Sequence, residues 1–250
     1  MAGHSKWAKV KHFKGKIDAA RARGFSRCSK EITVAAKAGG GDPNFNPRLR
    51  TAIASAKAEN MPNENIERAI KKGTGELEGV SYEEVTYEGY APGGVALIIE
   101  VLTDNKNRAA SDIRSTFTKH GGNLASPGSV AYMFQRRGVI LVPKQQIPED
   151  DLMELVLSLG AEDLKAEEEN YEVITPIEAF DTILDAIKKK KIEPSSAKLI
   201  FLPRTQASVT DETTARKTLN LIEALDELDD IQHVYSNFDI ADSILEKLAT

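Results

Sequence analysis

Near residue 73 the apolar residues change their spacing, and that change restricts the chain to a helical segment followed by mixed α and β structure. Ahead of it, Ile17, Phe25, Cys28, Ile32 and Ala35 share one side of a 3.6-residue wheel. Lys16, Arg23, Arg27, Lys30 and Lys37 fall on the opposite side. This pattern predicts a helix from Ile17 to Ala38. Gly24 costs about 1 kcal/mol inside a helix, so the firm part is expected to begin near that residue. Gly39-Gly40-Gly41-Asp42-Pro43 stops it. Asn46-Pro47 starts a second helix, with Asn as the N-cap and Pro in the first helical position. Leu49, Ala52, Ile53 and Ala56 form its apolar stripe. Pro62-Asn63 opens a third helix carrying Ile66, Ala69 and Ile70, with Lys71 and Lys72 in its last turn and Gly73 expected as the stop. Residues 17–79 thus read as a three-helix domain ending in a linker.

Beyond the linker, strands alternate with helices. Val85–Tyr90 and Val95–Leu102 flank Ala91-Pro92-Gly93-Gly94 and read as a β-hairpin. A helix over Asn107–His120 and a strand over Val130–Gln135 follow. Next come a strand at Val139–Val142, a helix at Glu149–Leu159, strands near Leu164 and at Tyr171–Thr175, a helix at Ile177–Lys189 and a strand at Lys198–Leu202. That order is βαββαβ, the split βαβ plan. A helix at Glu212–Leu228 and a strand at Ile231–Phe238 supply what the first hairpin lacks. The expected fold class is α+β: a helical domain, then two ferredoxin-like domains, one inserted in the other. The expected boundaries are an arm over 1–16, helices over 17–79, a discontinuous body over 80–136 plus 205–250, and an insert over 137–204.

Charge is divided unevenly along this plan. Residues 1–72 hold 16 Lys and Arg against 6 Asp and Glu, a net +10, and the remainder of the chain is −15. One end should attract polyanions and the other should repel them. The density peaks in the first sixteen residues, where Lys6, Lys9, Lys11, Lys14 and Lys16 interleave with Trp7, His12 and Phe13. Lysines release counterions from phosphates, and flat rings stack on unpaired bases. Arg23, Arg27 and Lys30 are expected to face the same ligand, with Arg48, Arg50, Lys71 and Lys72 as a second rim. Lys106 and Arg108, at the start of a helix with open N–H groups, are expected to add a contact from the middle domain. No apolar run approaches a membrane span, and the basic start lacks the apolar stretch of a secretory signal. A single cysteine fits a reducing cytoplasm.

Catalytic patterns are weak. His4, His12, His120 and His233 have no short ligand spacing for a metal site. Cys28 lies on an apolar helix face, no Ser sits in a G-x-S-x-G turn, and neither glycine cluster precedes Lys-Ser/Thr as a P-loop does. Acidic runs such as Glu167-Glu168-Glu169 read as solvated loops. No enzyme activity, cofactor or small-molecule substrate is expected, and the chain is expected to be a monomer.

Several long motifs resemble the YebC/PmpR family: Met1-Ala2-Gly3-His4-Ser5-Lys6-Trp7, Gly39–Pro43 with Asn46-Pro47-Arg48-Leu49-Arg50, and Met61-Pro62-Asn63 with Ile66-Glu67-Arg68-Ala69. So do Tyr87–Gly94, Thr103–Arg108 and His120–Asn123. The resemblance implies a transcriptional regulator that binds DNA in the cytoplasm. It also implies an alternative, a ribosome-associated translation factor that contacts ribosomal RNA or tRNA and aids synthesis of proline-rich stretches, because a mitochondrial relative is a translational activator. The interleaving of the two α+β domains rests mainly on this resemblance.

Overall fold

The computed structural model describes residues 17–240 and residue 244. It is α+β, with seven helices among the described residues. Three come first: α1 (Ile17–Gly39), α2 (Pro47–Ala58) and α3 (Asn63–Thr74). Their shared core is small and close-packed, with Ile32 and Ala35 of α1 against Leu49, Ala52 and Ala56 of α2 and Ile66 and Ala69 of α3. Asn46 joins the first two helices. Its side-chain amide donates to the carbonyls of Ala35 and Gly40, each at 2.8 Å, and its oxygen caps the Leu49 N–H at 3.0 Å.

Gly73 does not end α3 as its position suggested. The helix continues to Thr74, and Gly75, at φ +83°, is the left-handed stop. A Cβ on Gly73 would lie 2.4 Å from the Thr33 carbonyl oxygen, so this glycine permits the close approach of α1 and α3. Gly24 does not delay α1, which is helical from Ile17.

The chain then forms two compact units. One takes the residues up to Gln135 together with those from Leu202, and the other takes Arg136–Phe201. In the first, β1 (Glu83–Ala91) and β2 (Val95–Thr103) form the hairpin, followed by α4 (Lys106–Lys119) and β3 (Asn123–Ala125). After the insert come β8 (Ala207–Val209), α7 (Glu212–Asp226), β9 (Ile231–Ser236) and β10 (Phe238–Ile240). The four-stranded sheet has the order β3-β1-β2-β9, and β8 pairs with β10 separately. Leu97 and Ile99 of β2 pack against Ile113 and Phe117 of α4 and Ile222 and Leu225 of α7.

The insert contains β4 (Phe134–Pro143), α5 (Glu149–Ser158), β5 (Asp163–Ala166), β6 (Asn170–Thr175), α6 (Ile177–Lys189) and β7 (Ser196–Pro203). Its sheet order, β5-β6-β4-β7, is that of the split βαβ plan. Ile140, Val142 and Val173 alternate toward Val156, Ile183 and Ile187 of the two helices.

The strand expected at Val130–Gln135 is replaced. Ala131–Met133 forms one 3-10 turn, Phe134 begins the long β4, and the sheet edge is taken by β3, which pairs with Glu88–Tyr90. Glu88 explains the change. Its carboxylate, 7% exposed, accepts the N–H groups of Gly128 (2.7 Å), Val130 (2.6 Å) and Ala131 (3.0 Å). Those donors need no neighbouring strand. Burial works to raise the Glu88 pKa, and the three N–H bonds outweigh it and hold the carboxyl below the ordinary range.

Candidate nucleic-acid interface

The inward cations of α1 are already occupied. Lys30 offers three N–H donors and finds three acceptors: Asp230 Oδ1 at 2.8 Å, the Asp229 carbonyl at 2.9 Å and the Leu102 carbonyl at 3.4 Å. Asp230 in turn accepts from Arg108 at 2.8 Å and from the Thr103 hydroxyl at 2.9 Å. Arg27 pairs with the Asp226 carboxylate at 3.1 Å and also donates to the Asp226 carbonyl. The Lys30 and Asp230 side chains are 11% and 13% exposed, so solvent screens them weakly. Arg27 and Lys30, expected to face a ligand, meet acidic side chains from the C-terminal end of α7 and the turn after it.

The middle contact changes for a related reason. Arg108 is held by Asp104 at 2.6 Å as well as by Asp230, and Lys106 is 2.5 Å from Glu83. Asn105 caps α4 by accepting the Arg108 N–H at 3.1 Å, so one of the helix-end donors assumed open is taken. Arg48 grips Glu31 with two nitrogens, at 2.7 and 3.1 Å, and Glu84 with the third at 2.6 Å.

Other cations have no carboxylate partner among the described residues. Arg50 is half-buried, Lys71 and Lys72 are exposed, and none has an ion pair among the described residues. Arg23 is half-buried, also without an ion pair among them. Lys6, Trp7, Lys9, Lys11, His12, Phe13, Lys14 and Lys16 lie outside the described residues.

A cleft of about 590 Å³ lies where α1 meets the body, lined among others by Lys30, Asp104, Arg108, Asp112, Glu227 and Asp230. Burial tends to raise the Asp230 pKa, yet bonds from Arg108, Lys30 and Thr103 prevail and keep its carboxyl below the usual range. Such a group stays ionised at neutral pH and suits holding cations better than donating a proton. Among the described carboxylic acids burial pushes Glu172 upward, on β6 of the insert, and in the cleft lining burial raises the Tyr82 phenol, with Asp104 and Asp230 adding to the shift. No group of three or more His, Cys, Asp or Glu among the described residues is placed to hold a metal ion. No helix among them is long and apolar enough to cross a membrane.

One exposed residue escaped the sequence reading. Phe45 is 83% exposed, in the loop between α1 and α2. Its signal was present: an aromatic surrounded by Asp42, Pro43, Asn44 and Asn46 has no periodic neighbours with which to enter a core.

Residues 5–76 match the model of the TACO1/YebC protein N-terminal domain, and residues 82–238 match that of the TACO1/YebC second and third domain. A protein of Persephonella marina, named a probable transcriptional regulatory protein, is 53% identical over 250 residues, covering all of both chains. One of Treponema pallidum with the same name is 55% identical over 98% of this chain and all of its own. The crystal structure of a conserved hypothetical protein from Aquifex aeolicus is similar, with a TM-score of 0.83 at 48% identity, covering 92% of this chain and 94% of that one.

Proposed function

The chain belongs to the TACO1/YebC family, and from that premise we propose that it is a nucleic-acid-binding regulator of gene expression that performs no bond chemistry. The observation that carries the reading is that Arg50, Lys71 and Lys72 are left without ion pairs among the described residues, on the segment whose charge opposes the acidic remainder. Phosphates are the complementary partner for such a group. In this reading the basic N-terminal sequence adds Lys6, Lys9, Lys11, Lys14 and Lys16 for phosphates and Trp7, His12 and Phe13 for bases. The relatives' names support regulation of transcription, and in this reading the target is DNA and the place of action the cytoplasm. The ionised Asp230 and its saturated partners support the non-enzymatic part of the reading.

A second reading, a translation factor on ribosomal RNA or tRNA, is favoured by the exposed ring of Phe45, since regular duplex offers no free base face. The test is direct competition between labelled duplex DNA and structured RNA at physiological salt, with ribosome co-sedimentation at two salt concentrations. Duplex winning, without ribosome association, supports the transcriptional reading. RNA winning with salt-sensitive co-sedimentation replaces it by the translational one. Failure to bind either polymer at low salt overturns both.

A further inference from the structure

Phe45 stands on a braced support. The Asp42 carboxylate accepts the backbone N–H of Asn44 at 2.9 Å and its side-chain amide at 3.0 Å, and the Phe45 N–H reaches the Asp42 carbonyl at 3.2 Å. Asn46, 4% exposed, ties the next residue to the end of α1. The loop also lies against α3: a Cβ on Gly41 would come within 2.9 Å of the Thr74 methyl and 3.1 Å of Ile70. That contact places the last turn of α3, with Lys71 and Lys72, beside the loop. From the other side Arg50 directs a guanidinium nitrogen to the Pro43 carbonyl at 3.5 Å. An exposed aromatic side chain thus stands on a braced loop backbone, with Arg50 bonded to that loop and Lys71 and Lys72 in the helix turn packed beside it. Asp42 is the acid within the loop, and it already accepts two bonds from Asn44.

We propose that Phe45 is a stacking platform for an unpaired nucleobase, with Arg50, Lys71 and Lys72 on the flanking phosphates. The proposal rests on the nucleic-acid reading above and adds the state of the ligand, which must present a free base face. Every base has such a face, so the platform accepts many sequences, while a regular duplex keeps its faces stacked inside. Preorganisation by Asn46 and Asp42 means that little loop entropy is lost on binding. A protein partner fits less well. Protein hot spots sit in apolar surroundings that exclude water, and the chain around this ring carries the polar residues Asp42, Asn44 and Asn46.

The experiment compares the full chain with Phe45→Ala, Phe45→Leu and Phe45→Trp by fluorescence anisotropy. The probes are a labelled mixed-sequence RNA single strand, the DNA strand of the same sequence, and the annealed DNA duplex, with inorganic polyphosphate as a competitor. Phe45→Ala and Phe45→Leu should each weaken single-strand binding about tenfold, Phe45→Trp should keep it, and duplex and polyphosphate should respond to none of them. Equal losses on both strands assign the platform to any unpaired base, and a loss on RNA alone assigns it to RNA. Thermal unfolding should be unchanged, because the ring contributes almost no burial. If the wild type binds nucleic acid and Phe45→Ala and Phe45→Leu bind single strands equally well, stacking is overturned. A drop in melting temperature that explains the loss overturns it too. A wild type that binds none of the polymers removes the nucleic-acid reading itself.

Discussion

Two sides of the helical segment carry similar cations in opposite states. Toward the body, Lys30 and Arg27 are ringed by acceptors from α7, β2 and the turn before β9. Around the 40–46 loop, Arg50, Lys71 and Lys72 meet no carboxylate among the described residues. Both groups look the same as residues on a helix, and the difference lies wholly in what the fold brings opposite them. A cation facing a half-buried acid supports architecture, whereas one facing water is available to a polyanion.

The contrast implies graded costs. Asp230→Ala should be the most damaging substitution, lowering stability by about 3 kcal/mol in denaturant unfolding, because it removes the carboxylate that Lys30 and Arg108 share and leaves the poorly exposed Lys30 ammonium with carbonyl acceptors alone. A loss below about 1 kcal/mol would mean that the network is no more than a surface pair. Lys30→Met should cost less, about 1–2 kcal/mol, since Asp230 keeps Arg108 and Thr103 and the apolar replacement fills the space. Arg48→Ala should cost about 0.5 kcal/mol despite its three short bonds, because its guanidinium and both carboxylates are substantially exposed. A cost equal to that of Asp230→Ala would erase the distinction between the two sides.

Acid should separate the two sides as well. The folded pKa of Asp230 lies below its unfolded value, so its contribution is complete above the unfolded value near about 4 and disappears as the pH falls through the folded one. Wild-type stability should therefore fall in that window more steeply than that of Asp230→Asn, which has no such group to protonate. Parallel curves would contradict the network's role.

Much of the fold was legible because periodicity and caps are local. Asn46-Pro47 acts as the sequence suggested, and the βαββαβ order of the insert follows from alternating apolar runs. What escaped depended on partners distant in the chain. Gly73 resembled a stop because nothing local reveals the Thr33 carbonyl beside it. The 130–135 stretch resembled a strand because the carboxylate that folds it into a turn is Glu88, about forty residues earlier. The stripe on α1 was legible as cationic, yet its partners Asp226 and Asp230 lie 199 and 200 residues away. Phe45 was visible in sequence, and its exposure was not, because exposure is a property of the packed loop.

The division of labour between the two sides is tested most directly by the salt dependence of nucleic-acid binding. Replacing Arg50, Lys71 and Lys72 together by Ala should flatten the slope of log Kobs against log salt by about 2–3, one counterion-release increment for each lost phosphate contact, with little change in stability. Lys30→Met should do the reverse, lowering stability and leaving the slope where it was. A slope that falls with Lys30→Met and not with the triple substitution would contradict the account, because the inward cations would then be the ones that reach the ligand.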